Sequence, residues 1–369
     1  MDSEVGGIEF NENGICNYCE EFDILINANP AGEKGQLLID KVVGEMKTIG
    51  KNKSYDCVVG VSGGTDSTYL LYILKNLGLR PLAVHFDNGW NTEIAVSNIK
   101  NAVTILDIDL FTYVVNWEEF KDLQLSFLKA SLPEVEIPTD MGIRAILYKI
   151  AVKEGVKHVI SGNSFRAEGI VPQGWGYKDG KLLEGVQKIF GTQKLKTFPN
   201  LLLFKYLYYV YLRKIKIVRI LNFMDYSKEE AKKLIIKELD WQDYGGHHFE
   251  SIYTRFFQGY LAPVKFNMDR RKVTMSALVR LGKLDRDEAL KLLTEEIYSP
   301  EMKKEDMQYI SKKLGIGFDE FVGIIGAETK SFHEYPSYYP LMKKLTPILN
   351  WMNKKKILSG FFQTGKFSR

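Results

Sequence analysis

Ser62-Gly63-Gly64-Thr65-Asp66-Ser67 lies between an apolar run, Cys57-Val58-Val59-Gly60-Val61, and a helical-looking run, Thr68-Tyr69-Leu70-Leu71-Tyr72-Ile73-Leu74. This order commits the chain to a buried strand, a two-glycine turn and a helix that opens with Asp66 and Ser67 in its first turn. Such a turn aims backbone N–H groups and the positive end of a helix dipole at one point, which is an anion site. Ser62, Thr65 and Ser67 add hydroxyls, and the glycines let a phosphate come close. A Walker loop is excluded, because the Gly-Lys-Ser/Thr ending is missing.

The same βα order recurs. Strand candidates are 56–61, 81–86, 110–115 and 158–161; helix candidates are 66–77, 93–106, 118–130 and 142–154. The alternation predicts an α/β fold, a parallel sheet with helices on both faces, followed by a mainly helical C-terminal region. The expected organisation is an N-terminal segment with a helix (1–50), the α/β domain (51–245) and a helical substrate or partner region (246–369). Residues 165–199, rich in Gly and aromatics, read as a functional loop or lid. A further strand is expected over 218–223, and Ser227 with Glu230 reads as a capping box. Residues 200–226 are rich in Leu, Tyr and Ile, but Lys205, Arg213, Lys214, Lys216 and Arg219 break the run too often to span a membrane. They read as a core or interface helix followed by a strand. The Lys354-Lys355-Lys356 run reads as a solvated surface.

Composition narrows the partners. Fifty basic against 46 acidic residues leave a charge of +4, too mild to argue for nucleic acid. Three cysteines are too few for a disulfide scaffold, and the first residues lack the basic-then-apolar order of a signal peptide, so a cytoplasmic location is expected.

In a parallel sheet, ligands gather at the carboxyl ends of strands. Three predicted ends carry polar residues: the Ser62–Ser67 turn, His85 with Asp87 and Asn88, and Gly162 with Asn163. Asp66 is placed to hold Mg²⁺ against phosphates, or simply to favour the helix N-terminus. Asp87 and Asn88 suit a nucleotide contact or an Asx turn before Gly89. Thr139 and Asp140 face the same rim or act as an N-cap pair. A second dense block contains His247, His248 and Glu250, then Arg255, Lys265, Arg270 and Arg271, residues that suit anionic groups or a charged surface. Adjacent histidines do not share a helix face, so they do not make a two-histidine metal site. Cys16 and Cys19 are half of a zinc-site spacing; metal-free thiols and zinc both remain open.

Together these residues resemble the N-type ATP pyrophosphatases (the PP-loop superfamily), and within them the N-acetyl sugar amidotransferases of bacterial surface-polysaccharide synthesis. SGGTDS carries the first likeness. The second is carried by residues 10–19, Pro138-Thr139-Asp140, Ser161-Gly162-Asn163-Ser164, YGGHHFES over 244–251, TRFFQGY over 254–260 and the KFNMDRRKVTMSAL stretch from Lys265. The resemblance implies that ATP and Mg²⁺ serve to adenylate the acetamido oxygen of a nucleotide-linked sugar. Ammonia then replaces that oxygen to give an acetamidino group, with AMP and pyrophosphate released. Ser62, Asp66 and Ser67 would be catalytic, and ammonia would come from glutaminase-like and cyclase-like partners. The family usually carries a further CxxC ahead of the position where this sequence starts, which bears on zinc. The rival reading is a tRNA-modifying PP-loop enzyme, a thiolase or lysidine-type ligase, and salt-sensitive tRNA binding would favour it. A nucleotide sensor without turnover is the third.

Overall fold

A computed structural model describes residues 1–354, except 247 and 297. Five parallel strands, β1 (Cys57–Val61), β2 (Pro81–Asp87), β3 (Leu110–Val114), β4 (His158–Ile160) and β5 (Lys216–Val218), form one sheet in the order β3-β2-β1-β4-β5. Ahead of the sheet come α1 (Asn17–Ala28) and α2 (Gly32–Gly50). Its connections use α3 (Thr65–Asn76), α4 (Glu93–Ile105), α5 (Trp117–Ala130), α6 (Ile137–Lys153), α7 (Phe165–Glu168), α8 (Gly180–Phe190) and α9 (Leu203–Leu207). After β5 the chain is helical: α10 (Lys228–Leu239), α11 (Ile252–Phe256), α12 (Ala262–Phe266), α13 (Arg270–Arg280), α14 (Arg286–Thr294), α15 (Pro300–Leu314), α16 (Phe318–Gly326) and α17 (Tyr339–Lys354).

Side chains of period two divide the strands between two cores. Val58, Leu82, Val84 and Phe86 join the first, with Phe120 and Phe127 of α5, Ile146 of α6, and Phe256 and Phe321 from the C-terminal helices. Cys57, Val59, Val61 and Ala83 join the second, with Met46 of α2, Leu70 of α3, Ile99 of α4 and Ile235 of α10. A sheet covered on both faces explains why β1 and β2 read as nearly unbroken apolar runs. The first core takes residues from both sides of position 245.

Three expectations change. Residues 165–199 are not a lid: α8 buries Leu182, Leu183 and Val186 completely. The loop after it is tied down by carboxylates, Asp122 accepting from the N–H groups of Thr192 and Gln193 and Glu119 from those of Thr197 and Phe198. The glycines in this stretch hid a short amphipathic helix. The strand expected over 218–223 ends at Val218 as β5, and Ile220–Phe223 is a 3₁₀ turn whose Ile220 and Leu221 enter the second core. The helix expected ahead of a strand is present over 203–212 and is followed by β5, but it is not a core helix: α9 continues into a π-helical turn, with Phe204 81% and Leu212 75% exposed. Among the described residues no helix is long and apolar enough to cross a membrane. Ser227 caps α10, accepting from the Glu230 N–H at 3.5 Å. Lys355 and Lys356 of the lysine run lie outside the described residues.

The C-terminal helices are pinned by a buried ion pair. Arg255 grips Asp306 through Nε at 2.7 Å and a terminal nitrogen at 2.5 Å, while the Tyr298 hydroxyl donates to the same carboxylate at 2.6 Å. Asp306→Ala would leave the guanidinium half-buried and unpaired. We expect it to cost about 3–5 kcal/mol of stability, measured as a lowered denaturant midpoint. A change below 1 kcal/mol would contradict this role.

Candidate active site

Strand β1 pairs with β2 on one side and β4 on the other, and the chain leaves these edges in opposite directions. A crevice opens at such a switch point, at the carboxyl ends of the strands. The Ser62–Ser67 turn occupies it. Gly63 adopts φ +78°, and a Cβ there would lie 2.2 Å from the Ala95 carbonyl oxygen of α4. Only glycine fits. The turn is held from behind, the Gly63 carbonyl accepting from Trp241 Nε1 at 2.9 Å and Asn98 Nδ2 at 3.4 Å. In front, the Ser62 N–H donates to Ser67 Oγ at 3.2 Å, and the two serine hydroxyls lie 3.3 Å apart. Gly64 is the N-cap of α3 and brings no capping side chain, so the helix start is suited to an external anion.

Several walls meet this turn. Gly162, just past β4, lies against the start of α3, where an added Cβ would make ordinary contact, 3.4 Å from the Asp66 carbonyl carbon. Asn163 beside it donates to Glu168 at 3.3 Å. Asp66 accepts from the Tyr226 hydroxyl and lies 3.5 Å from Lys228 Nζ. Burial, then the Asp66 charge, push the Tyr226 hydroxyl far up, so it stays a donor. Glu168 is also pushed up, by burial and by the charge of Asp66. Over Gly64 stand Glu250 and Tyr244: a Cβ there would lie 3.1 Å from Glu250 Oε1 and 3.3 Å from the Tyr244 hydroxyl. A carboxylate and a phosphate do not share such a cradle, so an incoming anion must displace Glu250. His248 lies 3.4 Å from Glu250 Oε1. Burial disfavours its charge, but the Glu250 bond and charge outweigh that and raise its pKa.

A second charged cluster, a second pole, lies where α6 begins. Glu136 accepts from the Thr254 hydroxyl at 2.9 Å, Arg270 pairs with Glu134 at 2.9 Å, and Lys178 pairs with Asp140. Burial, then Asp140 and Glu134, push Glu136 from the usual 4.5 to about 8. Between these values the folded chain keeps a proton that the unfolded chain has lost. This contribution to stability is therefore full below about 4.5 and is lost as pH rises through about 8. Glu136→Gln should flatten that decline. We expect the gap in unfolding free energy between variant and wild type to widen by about 1–2 kcal/mol from pH 5 to pH 9, a value discounted for partial exposure. Parallel stability curves across that range would refute it.

The structure gathers Ser62 through Ser67, Gly162, Asn163, His248 and Glu250 at the turn, and Thr139, Asp140 and Arg270 at the second pole. Other expected contacts are corrected. His85 is buried, with Nδ1 at 3.0 Å from the Val61 carbonyl and Nε2 at 3.2 Å from Asn91; both nitrogens are taken, making it a strut under the turn. Asp87 and Asn88 form the Asx turn, accepting from the N–H groups of Gly89 and Trp90, and Asn88 also donates to Thr139 at 3.3 Å. Arg255 serves Asp306, and Arg271 serves Asp269 and the carbonyls of Leu292 and Glu295. Neither is free for a phosphate. Lys265 lies over the Phe266 ring at 5.4 Å. His247 lies outside the described residues.

Cys16 caps α1 through its sulfur, and Arg280 sits beside Cys19. Two thiols next to a guanidinium do not fit a structural zinc, which takes four ligands. Among the described residues no group of three or more His, Cys, Asp or Glu is arranged for a metal. Glu136, Glu168, Lys178 and Tyr226 were not foreseen. Only Tyr244, beside its glycine pair, carried a local signal.

The sheet order, the switch point and the glycine turn define an α/β protein built on a parallel sheet with helices on both faces and an anion-suited turn at its switch point. Residues 250–346 match the family described as "LPS biosynthesis protein WbpG-like, C-terminal domain". No curated protein matches the chain. Among solved structures it is similar to NMN synthetase from Francisella tularensis, at 14% identity over 77% of this chain and 97% of that one, TM-score 0.38. It is also similar to the NH3-dependent NAD synthetase from Campylobacter jejuni, at 15% identity over 76% and 96%, TM-score 0.34. A tRNA thiolase from Methanococcus maripaludis gives 13% over 68% and 82%, TM-score 0.32.

Proposed function

We propose that the protein is an ATP-dependent amidotransferase of surface-polysaccharide synthesis, a C–N ligase that converts the acetamido group of a nucleotide-linked sugar into an acetamidino group. The observation that carries this reading is the prebuilt SGGTDS turn at the switch point of a chain whose residues 250–346 match the WbpG-like family. An amide carbonyl is a poor electrophile, and its oxygen is a poor leaving group. If that oxygen attacks the α-phosphorus of ATP, the bond to the β-phosphate oxygen breaks and pyrophosphate departs. The α3 N-terminus and the hydroxyls of Ser62 and Ser67 stabilise the negative charge that collects there. Ammonia then adds to the imidate carbon, the C–O bond to AMP breaks, and a proton leaves the nitrogen. Positioning and charge account for both steps, so no nucleophilic triad is needed.

Asp66 and Glu168 fit a divalent ion shared with substrate phosphates, because Mg²⁺ is commonly bound by one or two carboxylates plus phosphate oxygens. Bound there, it would neutralise phosphate charge. Glutaminase-like and cyclase-like partners are proposed as the ammonia source. The reading is tested by supplying ATP, ammonium and UDP-linked N-acetyl sugars and measuring AMP, pyrophosphate and a substrate mass loss of one unit, as O is replaced by NH. Ser62→Ala should reduce AMP formation at least about tenfold. AMP formation that ignores both the sugar and Ser62 would overturn it.

A further inference from the structure

Helix α9 and the π-helical turn that continues it are apolar on two sides. Inward, Tyr206 and Tyr209 pack on Tyr148 of α6, with ring centroids 6.1 and 5.3 Å apart, and Val210 packs against the first core. Outward stand Phe204, Tyr208, Tyr211 and Leu212, about one helical turn from each to the next pair and therefore one stripe. Phe204 and Leu212 are the two most exposed large apolar side chains among the described residues. The exposure does not come from a loose end. The Arg213 N–H donates back to the Tyr208 carbonyl at 2.9 Å, the Ile215 N–H donates to the Tyr209 carbonyl at 3.0 Å, and Lys214 closes the turn at φ +54°.

Charge is segregated on the same stretch. Residues 185–224 hold eight basic residues and no acidic one, whereas the rest of the chain has 42 basic and 46 acidic. Lys205 stands beside the stripe, and Arg213 and Lys214 stand at its end. Among the described residues none of the three has an ion pair. Lys157 joins them, donating to the Arg213 carbonyl at 2.7 Å; burial, then the charges of Arg213, Lys53 and Lys214, hold its pKa down. Lys216 is paired with Glu45 and adds nothing free.

A bare aromatic and aliphatic stripe with unpaired cations at its edges matches the boundary of an anionic bilayer. There tyrosine rings sit at headgroup level, apolar tips enter the acyl layer and each cation near the surface gains from the negative lipids. A stable protein interface takes about twenty residues a side, far more than this stripe presents. Nucleic acid would use the cations but has no place for Leu212.

We propose that residues 204–214 are a peripheral membrane-docking surface for anionic phospholipid. Phe204, Tyr208, Tyr211 and Leu212 enter the headgroup layer, and Lys205, Arg213 and Lys214 meet lipid phosphates. The segment lies on the bilayer and does not cross it. This goes beyond the proposed chemistry and does not depend on it.

The test is flotation of the full chain with vesicles of phosphatidylcholine, alone or mixed with phosphatidylglycerol. Wild type should float with the mixed vesicles, far less with the neutral ones, and less again as salt rises. Phe204→Ser with Leu212→Ser, and Lys205→Glu with Lys214→Glu, should each weaken partitioning about tenfold or more. All four side chains are exposed, so both double variants should keep the wild-type melting temperature. Wild type that ignores both kinds of vesicle, or double variants that float as wild type does, would overturn the proposal. So would a dimer that Phe204→Ser with Leu212→Ser converts to monomer without any vesicle binding, which makes the stripe a contact between copies. Binding of tRNA in place of vesicles would also overturn it.

Discussion

Asp66→Ala should lower the rate of AMP formation by about two to three orders of magnitude, the scale seen when one group that stabilises developing charge is removed. Its carboxylate is 18% exposed, sits in the first turn of α3, receives the Tyr226 hydroxyl and faces Lys228. Removing it has two separable consequences. The buried Tyr226 hydroxyl loses its acceptor, which costs about 1–3 kcal/mol of stability. The phosphate site also loses the carboxylate suited to a divalent ion, which acts on turnover alone. Asp66→Asn separates the two, because the amide still accepts from Tyr226 but no longer carries charge. Near-normal stability with the same loss of AMP formation is the expected result. Turnover within about twofold of wild type in Asp66→Asn would remove Asp66 from the chemistry.

Gly63→Ala should destabilise the protein by about 2–5 kcal/mol. The left-handed φ of +78° costs an alanine about 1–2 kcal/mol. The collision of its Cβ with the Ala95 carbonyl, 2.2 Å away, adds about 1–3 kcal/mol because backbone cannot yield as a side chain can. Gly64→Ala forms an instructive contrast. Its φ is −76°, and the atoms its Cβ would meet belong to the side chains of Glu250, Ser62 and Tyr244, at 3.1–3.3 Å. Those can shift. Gly64→Ala should therefore fold with a melting temperature near wild type and bind ATP at least about tenfold more weakly, since its methyl fills the phosphate cradle. Thermal unfolding and ATP titration of both variants decide the matter. Equal stability of the two would show that the turn is not clamped by α4.

The strands were legible because burial on both faces leaves unbroken apolar runs, as in Val58-Val59 and Leu82-Ala83-Val84. The glycine turn was legible because its residues are neighbours in sequence and its conformation is local. Helix α8 was not, since its few apolar contacts at Leu182, Leu183 and Val186 lie within a glycine-rich stretch, and depth alone identifies them. The same distinction divides the functional residues. Arginines read as phosphate ligands proved to be partners of Asp306 and Asp269, while Glu136 took on its proton through burial beside two other acids. Local order is enough to specify a strand, a turn and a helix start, because those depend on φ, hydrogen bonds and periodicity within a few residues. Which charge stays free depends on what packs beside it from a hundred residues away, and that was set when the sheet closed between its two helical layers.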